Sequence, residues 1–255
     1  MQKINKSIVI LNAGLLFLLL EFISYSRFWL FGFVSAFFII FILSFWQINK
    51  RKLDKNFLNI FLSPFIFVLG AVLFFIFLVP QIAVFKHIYI ILVSGLLFLY
   101  LHNLNDLFLK PDIYKRFTLE NLSSHFNLLS VFLLFSSFYT FMFFPAIIFY
   151  LTQVLVILIT LILLQQNFWA NKIIDKKKRF FMASITLLMT ELYLVLGYLP
   201  TGFYVNGIIL TVVYYLLVEI ARMSLLKELN AKDLRRKIII SFLALALIFI
   251  TSRWN

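Results

Sequence analysis

Glu191 is the ionisable residue whose setting most needs an explanation, because it lies at the centre of a long apolar run from Phe181 to Leu199. Ser184, Glu191 and Tyr198 follow at steps of seven, close to two helical turns each, so a helix over this run carries all three on one face. That face is expected to point inward. Gln153 falls at nearly the same depth in another apolar run, and a Glu191 to Gln153 hydrogen bond would join two helices without transport or catalysis. Taken with Asn12, the same residues would form a midplane polar site of the kind a small secondary transporter or channel uses.

A second polar group gathers near the ends of two other runs: His102-Asn103-Leu104-Asn105-Asp106, then Glu120 and His125. His102 and Asp106 are four apart and share a face if the helix continues that far. Two imidazoles with carboxylates can bind zinc or another divalent cation, and His102, Asp106 and His125 would then serve an enzyme acting on lipid-linked substrates. No HExxH or paired Asp-rich motif accompanies them, so capping of helix ends is the plainer reading and no cofactor is implied. Glu219 and Arg222, three apart, form an interfacial ion pair on a face shared with Thr211 and Tyr215. Glu21 is expected to reach toward Arg27. The absence of cysteine excludes disulfides, thiolate metal sites and cysteine nucleophiles. Seven scattered glycines form no phosphate-binding loop, which argues against a nucleotide-driven pump.

The elements that must position these residues follow from composition. Of 255 residues, 64% are hydrophobic and 13% charged, too few charges to coat a soluble protein of this length. About 20 apolar residues span the ~30 Å hydrocarbon layer as a helix. Nine such runs occur: 7–24, 28–47, 57–79, 82–101, 123–144, 146–165, 181–199, 203–221 and 238–252. Their continuous apolar blocks lack the alternation of a membrane barrel, so the fold class is all-α, a polytopic transmembrane bundle of about nine helices. The whole chain, 1–255, reads as one integral membrane domain with no soluble domain. Lys3 and Lys6 before the first run also fit a secretory signal, but the run is expected to remain as a helix. The 34 phenylalanines are expected at lipid-facing positions.

Orientation follows from Lys and Arg. With the amino terminus cytoplasmic, 20 of the 23 basic residues fall on the inside, and only Arg27, Lys86 and Arg253 on the outside. The carboxyl terminus is then external. The net charge of +13 therefore encodes topology and does not point to nucleic acid. The outer turns are short, and Pro80, Pro145 and Pro200 mark three of the four because proline cannot continue a helix interior. The basic runs Lys176-Lys177-Lys178-Arg179 and Arg235-Arg236-Lys237 suit anionic lipid head groups, each charge near the surface contributing about 1 kcal/mol.

Residues 185–255, through Glu191-Leu192-Tyr193, Leu199-Pro200, Tyr214-Tyr215 and Thr251-Ser252-Arg253-Trp254, resemble uncharacterised polytopic membrane proteins of candidate phyla radiation bacteria. The resemblance implies a bacterial cytoplasmic membrane and transfers no activity. Three classes of function fit the chain. They are a non-enzymatic membrane component packed against a protein partner, a transporter or channel using Glu191, and a membrane enzyme using His102, Asp106 and His125.

Overall fold

The structure, a computed structural model, describes the backbone of residues 2–25, 30–48, 55–80, 82–109, 118–141, 146–227 and 230–252, and the side chains of 7–24, 32–47, 59–80, 82–106, 121–141, 150–227 and 230–252. Among the described residues there are nine helices and no strand. They are α1 (Gln2–Tyr25), α2 (Leu30–Ile48), α3 (Lys55–Phe77), α4 (Ala83–Leu109), α5 (Thr118–Thr140), α6 (Ala146–Ala170), α7 (Lys178–Gly197), α8 (Phe203–Leu225) and α9 (Ala231–Thr251). Each expected run lies within or largely overlaps one helix. Seven of them, α1 and α3 to α8, are long and apolar enough to cross a membrane, as a polytopic bundle requires.

Several helices outrun their apolar segments. The clearest case is α9, which starts at Ala231 because Asn230 caps it, its side chain accepting from the Lys232 N–H at 3.1 Å, with Asp233 in the first turn. Beyond its basic opening turns, the apolar stretch from Ile238 to Thr251 is about 21 Å long at 1.5 Å per residue, short of the hydrocarbon thickness. The turn after α3 holds Pro80 and that after α7 holds Pro200, as expected, whereas Pro145 lies outside the described residues.

Contacts divide the chain into two compact units, Met1–Ser123 and Ser124–Asn255, where the sequence reads as one domain. In the first, α1 packs on α4 and α2, and α3 packs on α4. Pro64 lies inside α3 and has no N–H to give the carbonyl of Ile60, four residues earlier. The fully buried hydroxyl of Tyr100 on α4 supplies the missing donor, meeting the Ile60 oxygen at 2.9 Å. The same hydroxyl lies 3.2 Å from the hydroxyl of Ser123. Phenylalanines fill the α2–α3 contact: Phe38 meets Phe65 at 5.0 Å between ring centroids and Phe45 meets Phe61 at 5.1 Å. Phe41, Phe45 and Phe67 are buried while Phe85, Phe180 and Phe242 are exposed, so phenylalanine fills the interior as well as the outward positions where it is expected. Offset and tilted ring pairs are favourable packing units without water to drive them.

In the second unit α5 is the organising helix and the most enclosed of the seven spans. Asn127 on α5 hydrogen-bonds Gln166 on α6. Tyr139 on α5 donates to the Tyr193 carbonyl on α7 at 3.0 Å, and the two rings stack 4.5 Å apart. Gly207 on α8 lies against Ser136 on α5, so closely that a Cβ at 207 would come 2.9 Å from the Ser136 Cβ and 3.2 Å from its Cα. Small residues that let two backbones approach are a principal means of packing helices in lipid.

Tyr100→Phe is expected to destabilise the protein by about 1–3 kcal/mol, the cost of leaving a buried carbonyl unpaired. Denaturation in mixed micelles measures it. In a Pro64→Ala background the helix regains its own donor, and the same substitution should cost less than half as much. Equal losses in both backgrounds would refute this pairing.

Candidate functional site

The residues singled out for chemistry are divided between the two units. On α7, Ile185, Thr186, Met189, Tyr193 and Leu196 are buried, and the opposite side of the helix is open. Glu191 belongs to the open side, together with Leu187 and Val195, and Tyr198 just past the helix end is 82% exposed. The expectation that the Ser184, Glu191 and Tyr198 face points inward is therefore corrected: Ser184 is half-buried and the other two are exposed. Their common face was read rightly from the spacing. Its direction depends on where the larger apolar side chains pack, and both sides of α7 are apolar enough for either choice.

Among the described residues Glu191 makes no hydrogen bond and no ion pair, and neither does Gln153, which is half-buried on α6. The expected bond between them does not form. An ionisable residue at the centre of a bilayer costs about 2.5–3.5 kcal/mol on insertion scales, and nothing among the described residues offsets that for Glu191. Asn12, in the first unit, is buried on α1 and donates to the Ile8 carbonyl one turn back at 2.8 Å, leaving its own side-chain oxygen without a partner.

Glu219 and Arg222 do pair, at 2.9 Å. The structure adds a third member, because the α8–α9 hairpin brings Lys237 onto the same carboxylate oxygen. Glu219 is the hub, its side chain only 17% exposed, with one carboxylate serving two cations. Arg222, Met223, Asp233, Arg236 and Lys237 line an adjoining recess of about 290 Å³. Sequence spacing finds the i, i+3 pair, but Lys237 enters only through the turn that folds α9 back on α8.

Glu21 joins α1 to α4 by a 2.7 Å hydrogen bond with His87 Nδ1, a partner that sequence reading passed over. The expected contact of Glu21 with Arg27 falls outside the described residues. His102 and Asp106 share a face of α4 as anticipated and sit 3.5 Å apart, with His102 stacked on Phe98 at 5.8 Å. His125 belongs to the second unit and is exposed. Among the described residues no three of His, Asp and Glu come together closely enough to hold a metal ion.

One polar residue with a clear structural task was missed. Asn206, buried in the first turn of α8, accepts from the Thr201 hydroxyl and donates to the Leu196 carbonyl at 3.1 Å. It thereby ties the α7–α8 hairpin together, adding a second donor to a carbonyl that already accepts from the Leu199 N–H at 3.1 Å. The signal was available: an amide residue a few positions beyond the Pro200-Thr201-Gly202 turn. The chain matches no protein-family model, no curated protein and no solved structure.

Glu219→Gln keeps the shape of the hub and removes its charge, leaving Arg222 and Lys237 against each other. Amide hydrogen exchange across 231–251 is expected to accelerate roughly fivefold, corresponding to about 1 kcal/mol for a partly exposed ion-pair network. Exchange in α6 should not change. Unaltered exchange in α9 would show that Lys237 does not hold the hairpin.

Proposed function

We propose that this chain is a non-enzymatic component of a bacterial cytoplasmic membrane, working as a subunit whose helices pack against another membrane protein. The observation that carries the reading is Glu191, a carboxyl group on the open side of the least enclosed spanning helix, with only 28% of that stretch buried. A polar group turned away from the chain's own interior finds its complement in a second protein. The transport reading needs Glu191 to line a path within the chain, and its outward position gives that reading less support. The enzyme reading retains the His102–Asp106 pair alone.

The subunit lies with its amino terminus in the cytoplasm and its carboxyl terminus outside. The distribution of Lys and Arg supports this orientation. Lys176, Lys177 and Arg179 are exposed, and so are Arg235 and Arg236, suited to anionic head groups at the inner surface. Lys237 is withdrawn from that role by Glu219.

Because the chain has no cysteine, single introduced thiols report topology cleanly. In intact cells a membrane-impermeant maleimide is expected to label Thr201→Cys and to label Lys176→Cys only after the membrane is opened. The reverse pattern would overturn the orientation. Extraction in mild detergent should give a complex larger than the 30.1 kDa chain. A lone chain at native expression level would overturn the subunit reading.

A further inference from the structure

The stretch from Glu219 to Lys237 carries more cations than carboxylates: six Lys or Arg against three Asp or Glu. The recess of about 290 Å³ beside the Glu219 hub is lined from α8 by Arg222 and Met223, and from α9 by Asp233, Arg236 and Lys237. The three α9 residues stand at i, i+3 and i+4, on one face of that helix. Arg222 and Lys237 both reach the same Glu219 oxygen. Arg236 is exposed and, among the described residues, forms no ion pair or side-chain hydrogen bond, not even with Asp233 one turn away. Arg222 is incomplete as well. Its Nη2 donates to Glu219 at 2.9 Å, but its Nε–H is buried with no acceptor among the described residues. A guanidinium has five N–H donors and accepts nothing, so what these two arginines lack is oxygen.

We infer that this recess is a binding site for one phosphate-type oxyanion, held by Arg222 and Arg236 while Glu219 and Lys237 keep the hairpin together. The inference rests on the reading that the basic turns face the inner membrane surface, and it gives that attraction a single seat.

Charge selects an anion over a metal ion, because the lining and the hub together hold three cations and two carboxylates. Arginine selects phosphate-type chemistry, since its planar fork meets such a group through two parallel N–H···O bonds. The volume falls below the roughly 300–1,000 Å³ of a site that engulfs a drug-sized ligand, so a small head fits and a whole lipid does not. The surroundings favour a lipid as the source of that head. Ile238, Ile239 and Ile240 begin one residue beyond Lys237 and are all exposed, so acyl chains can lie along α9 with the phosphate seated above them. Basic pockets between helices at the cytoplasmic side are where anionic heads bind.

Lipid titration of the full chain in neutral detergent tests the site, with bound phosphatidylglycerol counted by native mass spectrometry. At about 0.15 M salt, attraction beyond roughly 8 Å is screened. Arg236→Gln is then expected to weaken retention about tenfold, and Arg222→Lys, which keeps the charge and loses the fork, about fivefold. Arg235→Gln removes the same charge from an exposed neighbour that does not line the recess, and should change retention by less than about twofold. Diacylglycerol, which has the chains and no phosphate, should not be retained. Displacement of the lipid by an equal concentration of inorganic phosphate would make the free ion the occupant of the same site; failure to displace it assigns the site to the lipid. Full retention in Arg236→Gln or Arg222→Lys, an equal loss in Arg235→Gln, or retention of diacylglycerol would overturn the recess as a phosphate site. If phosphatidylglycerol is held alike by every variant, the basic turns still attract anionic lipid and the recess alone falls. If the unaltered chain retains neither the lipid nor phosphate, both fall.

Discussion

Inside a bilayer no water is at hand for an unpaired peptide group, so every carbonyl must find its donor within the protein. The rest of this structure depends on that constraint, and Pro64 is where it bears hardest. A proline in the middle of a spanning helix opens the carbonyl of Ile60, and Tyr100 from the neighbouring helix closes it. The backbone of one helix is thus completed by a side chain of another. At the α7–α8 turn Asn206 adds a side-chain donor to the Leu196 carbonyl, which the Leu199 N–H already reaches.

The same absence of water removes the usual drive for apolar side chains to gather, because lipid tails are as apolar as leucine. What distinguishes inside from outside is then packing and hydrogen bonding. Accordingly the least apolar of the seven spans, α5, is also the most enclosed, with Ser123, Asn127, Ser130, Ser136 and Ser137 all buried. Helix α7 stands at the other extreme, least enclosed and with its carboxyl group turned outward. The Glu219 hub is a different solution again. It lies beside charged turns at one end of the α8–α9 hairpin, where two cations can share one carboxylate while keeping contact with a polar boundary.

Much of the fold could be read directly, because hydrophobic runs of membrane length are strong signals and a helix satisfies its own backbone. Helix ends were less accessible: hydropathy marks where lipid stops, whereas α9 begins where Asn230 caps it, seven residues before the apolar run. Periodicity correctly grouped Ser184 with Glu191 and Tyr198, and Glu219 with Arg222, since both groupings are local to one helix. It could not give the direction of the first group or the third member of the second. Pairings across helices, Glu21 with His87 and Tyr100 with Ile60, depend on which helices become neighbours, and spacing along the chain contains no such information. Pro64 was the exception that could have been exploited, for an interior proline announces an acceptor in need of a donor.

That proline also bears on the order of assembly. An isolated α3 would enter the hydrocarbon with a bare carbonyl at Ile60, a state that lipid penalises and that only α4 relieves. The lowest-energy route into the membrane is therefore for α3 and α4 to enter as a hairpin, with the tight turn at Pro80 holding them together from the outset.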